Sequence, residues 1–280
     1  MKNFNLILTT FVFSFHILIA ASSDPVFGEN GMIVSTSKQA SEAGIEILKK
    51  GGNAVDAAVA VGFALAVTSS SNGNIGGGGF MVAAMTDGET FTLDYREKAP
   101  AAAHRDLFLN DSGNVVPGMS LSSRAGSGVP GTVDGLIRAL EDHGSGKITL
   151  HQVLAPAIRL AQKGFKLSHY EAQRFNGYEG LFESNDAAAA IFIRKDNNPW
   201  KKGDKLVQKD LAKTFKRISK YGRDGFYTGP VADLIVAEMK RGNGLISLED
   251  LKNYSSVYRV PVSGTYKGYE VISMGPPSSG

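Results

Sequence analysis

A glycine run joined to a hairpin that ends in arginine is the stretch of this chain best suited to chemistry. Asn72-Gly73-Asn74-Ile75-Gly76-Gly77-Gly78-Gly79-Phe80 leads into a hydrophobic strand, and a second strand ends Asp94-Tyr95-Arg96-Glu97-Lys98-Ala99-Pro100. Four successive glycines leave backbone amides uncovered and permit positive φ, which suits close approach of the backbone to a ligand or to another piece of chain. A guanidinium at the nearby strand end can hold a carboxylate through two parallel hydrogen bonds. Together they imply a pocket for a small, carboxylate-bearing molecule. The competing reading is a surface arginine paired with Asp94 or Glu97, and residue chemistry alone leaves the two evenly matched.

Other constellations carry less. Gly126-Ser127-Gly128-Val129-Pro130-Gly131 has the spacing of a dinucleotide loop. It follows no clear strand and contains Pro130, so a turn into the next helix is the better reading. His16, His104, His143, His151 and His169 include no pair at helical zinc spacing, and with Cys 0 no metal site and no thiol chemistry are expected. No serine sits between glycines two residues away on each side, as a hydrolase elbow requires. Glu141-Asp142 and Glu249-Asp250 are adjacent in sequence and so face different ways on a helix, where capping or solvation accounts for them. No cofactor is implied.

The elements that must position Arg96 are legible around it. Ile33-Val34-Ser35 reads as a short first strand, and a helix from Ser37 or Ser41 runs to Lys50 and stops at Gly51-Gly52. Asn53 caps a second helix, Ala54 to about Thr68, with Asp56 in a capping-box position; it is apolar on every face and is therefore expected to be buried. Phe80–Thr86 and Glu89–Tyr95 form a hairpin across Asp87-Gly88. Leu107–Gly128 reads as an exposed loop. Helices follow at Val133–His143, Thr149–Gly164 (with Pro156 near its start), Asp204–Tyr221 and Val231–Arg241, with a short turn at Leu248–Leu251. Tyr258–Val262 and Tyr269–Met274 read as paired strands. Small-residue helices next to strands suggest a helical layer packed closely on a sheet, an α+β arrangement.

The composition, 42% hydrophobic and 20% charged over 280 residues, allows one large domain or two small ones. The net charge is +3 without a long basic block. The densest basic stretch, Lys195–Arg217, also holds Asp196, Asp204 and Asp210, so it is a solvated face and no nucleic-acid partner is expected. Lys2, the apolar Leu6–Ala20 and the small Ala20-Ala21-Ser22 form a secretory signal peptide over residues 1–22, which predicts a secreted or periplasmic product; an uncleaved anchor is the alternative. At the other end, strand-like Glu270–Met274 runs into Gly275-Pro276-Pro277-Ser278-Ser279-Gly280 with nothing after it to close the fold, as in a chain cut inside a domain.

Six segments together resemble gamma-glutamyltranspeptidase, also called glutathione hydrolase. They are Gly51–Ala60, Gly73–Met81, Asp94–Pro100, Val129–Val133, Gly244–Leu251 and Pro276–Gly280, in the family's order and covering nearly all of the chain after residue 22. The resemblance implies an N-terminal-nucleophile hydrolase fold, an αββα sandwich, of which residues 23–280 are part of the large-subunit region. It implies a precursor that cuts itself, a small subunit whose new N-terminal threonine attacks the gamma-glutamyl amide, and transfer of the acyl group to water or to an amino acid or peptide amine. By position Arg96 grips the substrate α-carboxylate, and Glu97 orients Arg96 or packs at the pocket wall. Glutathione and other gamma-glutamyl compounds are the implied substrates. Gly275 replaces the first proline of the family's three-proline turn, which changes loop stiffness. No catalytic residue is expected within the chain, because the threonine motif falls beyond Gly280; the small subunit is an expected partner, and the fragment alone is expected to be inactive. Three readings stay open: this enzyme, a related acylase of glutaryl or β-lactam side chains or poly-gamma-glutamate, and a non-catalytic binding or structural remnant.

Overall fold

The computed structural model describes residues 25–279, so the signal peptide expected over 1–22 lies outside the described residues. Residues 25–32 contain no helix or strand, and the elements below lie in the unit that begins at Ile33.

Helix α1 (Lys38–Lys49) starts at Ser37, whose side chain accepts from the Ala40 amide. Ile33-Val34-Ser35 does not form the expected strand. Ser35 Oγ instead donates to the Ser37 carbonyl (2.8 Å) and accepts from the Ser37 amide, and these local side-chain bonds serve the helix start in place of a ladder. The end of α1 is a Schellman turn: Gly52 N–H reaches Ile47 O, Gly51 N–H reaches Leu48 O, and Gly51 takes φ +87°. Asn53 and Asp56 then form a reciprocal capping box at the start of α2 (Ala54–Thr68). Buried Asp56 also accepts from the Ser145 amide (3.1 Å), and Asn53 Nδ2 donates to His143 O (2.8 Å), so the box ties α2 to a later helix. Val59, Phe63 and Val67 are wholly buried along α2, each contributing about 1.5–3 kcal/mol of transfer free energy.

Strands β1 (Phe80–Ala84) and β2 (Thr90–Asp94) pair antiparallel, with Phe80 opposite Asp94. The turn between them is a three-residue loop in which Gly88 donates to Met85 O at φ +91°. The expected loop over 107–128 contains two short turns, α3 (Met119–Ser122) and a 3-10 turn at Arg124–Gly126. Helices α4 (Thr132–His143) and α5 (Leu150–Lys163) follow, with Pro156 in the second turn of α5 rather than at its start.

Beyond them come β3 (Phe165–Lys166), the helical turns α6 (His169–Gly177), α7 (Glu179–Glu183) and α8 (Asp186–Phe192), and β4 (Lys205–Leu206). The helix expected over 204–221 begins only at Lys209, as α9 (Lys209–Tyr221). Leu206 is buried in a two-residue ladder opposite Phe165, which takes Lys205 and Leu206 out of the helix. Gln208 then donates to Val67 O (2.8 Å), closing the end of α2. Phe215 of α9 meets Phe63 edge-on at 5.8 Å. The chain continues through α10 (Asp224–Tyr227), α11 (Gly229–Arg241) and α12 (Leu248–Asn253).

The last strands correct the sequence-based pairing. β5 (Val257–Arg259) joins β2, giving a sheet in the order β1-β2-β5, and β6 (Val262–Tyr266) pairs with β7 (Tyr269–Ser273) across a Lys267-Gly268 turn. Thus, of the expected strand 258–262, only Val262 pairs with 269–274, opposite Ser273. Residues 260–261 break the run into two strands that serve different sheets, which local alternation could not reveal. Helices α4 and α5 and the buried α2 share one hydrophobic core with β2. Among the described residues this is the mixed helix-and-sheet part of the expected architecture.

Candidate functional site

The glycine run acts through close approach. None of Gly73 and Gly76–Gly79 has positive φ, so the freedom allowed by the sequence is not what the fold uses. A Cβ on Gly78 would stand 2.7 Å from Arg96 Cα and 2.8 Å from Glu97 N, and closer still to the Tyr95 carbonyl oxygen. On Gly77 it would stand 2.6 Å from Asn74 Oδ1 and 2.9 Å from Glu97 Oε1. Gly79 and Tyr95 exchange backbone hydrogen bonds (3.3 and 3.0 Å), which extends the hairpin ladder one rung beyond the strands. Gly77 O accepts from the Gly131 and Thr132 amides (2.8 and 3.0 Å), so the run also meets the start of α4. Gly131 and Gly135 of that turn and helix leave the room that the Tyr95 backbone and ring occupy. Burial pushes the Tyr95 hydroxyl up to about 12, so it remains a neutral donor, directed at Phe80 O (3.3 Å).

Asp94 decides what Arg96 can do. Its carboxylate is buried and accepts from the Arg96 backbone N–H (3.0 Å) and from Arg259 Nε (2.7 Å). Arg259 lies opposite Thr92 across the β2–β5 ladder, which puts its guanidinium diagonal to Asp94. The Arg96 guanidinium is thereby left without Asp94. It is half-exposed, its nearest acid is Glu97 at 3.8 Å, it stands 5.8 Å from the Phe80 ring centre, and it donates no hydrogen bond among the described residues. Arg96 and Glu97, the two candidates from the sequence, stand side by side, with Arg96 Nε 3.8 Å from Glu97 Oε2. Glu97 lies over Gly77 and Gly128, at whose positions a Cβ would meet its side chain.

Tyr254, Arg223 and Asp134, which the sequence reading did not single out, hold this segment together with Lys98 and Asp250. The Tyr254 hydroxyl donates to the Arg96 carbonyl (2.7 Å), and its ring stacks on Tyr227 at 5.7 Å. Burial raises the Tyr254 pKa, and the negative charges of Asp134, Asp94 and Glu97 raise it further, so the hydroxyl keeps its proton. Arg223 donates to the Tyr254 carbonyl and, through Nε, to buried Asp134 (2.7 Å), whose other oxygen takes the Ser256 amide (2.7 Å). Lys98 Nζ donates to Ser255 O (2.7 Å) and lies over the Tyr254 ring. Asp250 accepts from the Ala101 amide (2.8 Å) and closes a capping box on Ser247. The one local signal for this frame was an acid, Asp134, inside the apolar Val133–Ile137 stretch; its partners lie about ninety to one hundred and twenty residues away.

No cluster of three or more potential metal-ligating side chains occurs among the described residues. No described helix is long and apolar enough to cross a membrane. The arrangement offers one projecting guanidinium on a backbone braced from both sides, suited to a carboxylate.

A family model described as gamma-glutamyltranspeptidase matches residues 40–280. A glutathione hydrolase proenzyme of Pseudomonas sp. (strain A14) is 49% identical over 262 residues, covering 93% of this chain and 45% of the relative. The glutathione hydrolase proenzyme of Escherichia coli (strain K12) is 47% identical over 256 residues, covering 91% and 44%. Among solved structures, Helicobacter pylori gamma-glutamyltranspeptidase superposes with a TM-score of 0.88 at 44% identity, covering 91% of this chain and 73% of that one. The chain thus spans less than half the length of these two curated relatives.

Proposed function

The chain belongs to the gamma-glutamyltranspeptidase family, and on that premise we propose that it forms the substrate-gripping part of a glutathione hydrolase. In this reading Arg96 binds the α-carboxylate of a gamma-glutamyl compound such as glutathione. Glu97, 3.8 Å away, orients the guanidinium. The observation that carries the assignment is the pairing of Asp94 with Arg259, which leaves the neighbouring guanidinium half-exposed and without a hydrogen-bonded acid.

The reaction needs a nucleophile that Arg96 does not supply. We assign it, from the family resemblance, to the N-terminal threonine of a small subunit released from the same precursor. Its hydroxyl attacks the gamma-glutamyl carbonyl, its α-amine takes the proton, and the amine of the leaving group departs. Water or an amino acid or peptide amine then accepts the acyl group. Arg96 contributes by fixing the far end of the substrate, so that the scissile amide meets the nucleophile in one geometry. The 280-residue chain alone is accordingly inactive. A secreted or periplasmic location after removal of residues 1–22 completes the proposal, and N-terminal sequencing of the exported protein tests it.

The deciding experiment is Arg96→Lys in the complete natural protein, assayed with a gamma-glutamyl anilide. A single ammonium cannot replace a bidentate fork, and loss of a charge-assisted hydrogen bond of about 1.5–3 kcal/mol raises KM by roughly 10- to 150-fold. An unchanged KM refutes the assignment of Arg96, and turnover by the 280-residue chain on its own refutes the placement of the nucleophile. Competition between glutathione and a glutaryl amide in the complete protein separates this reading from an acylase.

A further inference from the structure

Arg174 has no ion pair among the described residues, and it lies in an apolar groove that shares no lining residue with the Arg96 cluster. The groove, about 360 Å³, runs between the Ser69–Ser71 turn after α2 and the helices α6 to α8. Its apolar wall is made by Phe175, Phe182 and Phe192, whose rings pack at centre distances of 5.0–6.3 Å. Arg174 enters between the Tyr170 and Tyr178 rings (5.5 and 5.2 Å from their centres) and donates Nη1 to the Tyr170 hydroxyl (2.9 Å).

Two donors in this groove are shielded from solvent and unused. Arg174 Nε and Ser70 Oγ are buried atoms with no hydrogen-bond partner. Arg174 forms no ion pair among the described residues, and Glu171, the one acid lining the groove, turns its carboxylate onto the Ser168 amide (2.6 Å). A buried donor atom without an acceptor is costly, while the rest of the Arg174 guanidinium is open to an anion that enters the groove. Both orphans are donors, one belongs to a cation, and the wall beside them is aromatic. We propose that this groove binds a small monocarboxylate with an apolar or aryl tail, its carboxylate on Arg174 and Ser70 and its tail against the phenylalanine wall. A cavity of this size falls in the range of small-molecule sites.

The probe is 3-phenylpropanoate, titrated calorimetrically into the complete natural protein and into its Arg174→Gln, Ser70→Ala and Arg96→Gln variants, each first shown to melt as the parent does. Saturation binding is expected for the parent and for Arg96→Gln, with weakening of at least about tenfold in Arg174→Gln, a smaller loss in Ser70→Ala and partial recovery in Arg174→Lys. 3-Phenylpropanol, which lacks the charge, should bind far more weakly. The proposal is overturned if the folded parent does not bind at millimolar probe, if acid and alcohol bind equally, or if binding disappears with Arg96→Gln and survives Arg174→Gln. That last pattern would place the probe on Arg96. Absence of groove binding together with a raised KM in Arg96→Lys would sink this inference and leave the proposed function standing.

Discussion

Replacing Gly78 by alanine tests the claim that the glycine run serves close approach. The new methyl would stand 2.7 Å from Arg96 Cα, 2.8 Å from Glu97 N and nearer still to the Tyr95 carbonyl oxygen. All three are backbone atoms, so no rotamer change relieves the clash. Real Cβ atoms essentially never approach other atoms within 3.0 Å, so the 95–97 segment must retreat by several tenths of an ångström. The same Tyr95 carbonyl is also packed closely at Gly131, where a Cβ would meet it and the Tyr254 hydroxyl. Overpacking of this kind costs about 1–3 kcal/mol, and displacement of a substrate-positioning group by about 1 Å can cost about 100-fold in rate. The assay is a thermal melt together with kcat/KM for a gamma-glutamyl anilide, both on the complete protein. Gly76→Ala is the internal control: a methyl there meets only Asn74 Oδ1 at 3.8 Å, and its effect should stay within about 0.5 kcal/mol. If Gly78→Ala and Gly76→Ala behave alike, the close-approach argument is wrong.

Four further outcomes follow from the same frame. Tyr254→Phe removes the hydroxyl bond to Arg96 O while keeping the ring stack; KM should rise several-fold at nearly constant kcat, and equal loss of both constants would contradict a positioning role. Arg223→Ala strips buried Asp134 of its cation, so a loss on the order of 3 kcal/mol is expected in urea unfolding, and a change below about 1 kcal/mol would contradict it. Asp250 gives a pH signature. Burial alone would raise its pKa, yet bonds from the Ser247 hydroxyl and from the Ala101 and Ser247 amides hold it below its ordinary 3.8. Its contribution is therefore present above that value and lost as pH falls through the lower folded value, and Asp250→Asn should flatten the acid limb of stability against pH. Asn53→Ala opens the capping box and the bond to His143 O; a loss of about 1–2 kcal/mol in Tm-derived stability is expected, and none would mean the box is idle.

Local physics made much of this molecule legible from the sequence alone. The Gly51-Gly52 stop, the Asn53–Asp56 box, the buried α2 and the Asp87-Gly88 hairpin are written in short-range patterns, because caps, turns and helical periods are set by neighbours a few residues apart. So were the six family segments and the choice of Arg96 and Glu97 as candidates. The same patterns misplaced elements whose fate depends on distant chain. Ile33–Ser35 found side-chain partners in place of a strand, Lys205 and Leu206 paired with β3, and β5 joined β2 instead of the last hairpin.

The availability of Arg96 was likewise a tertiary decision. Sequence chemistry placed Asp94, Arg96 and Glu97 together and left their pairing even. Only the β2–β5 ladder brought Arg259, 165 residues away, onto Asp94. The Tyr254 bond to the Arg96 carbonyl and the Arg223–Asp134 pair behind it are equally remote in sequence. An ion pair forms with whichever charge the fold brings within reach, and at these separations that choice is made by strand register and helix packing, not by the residues alongside.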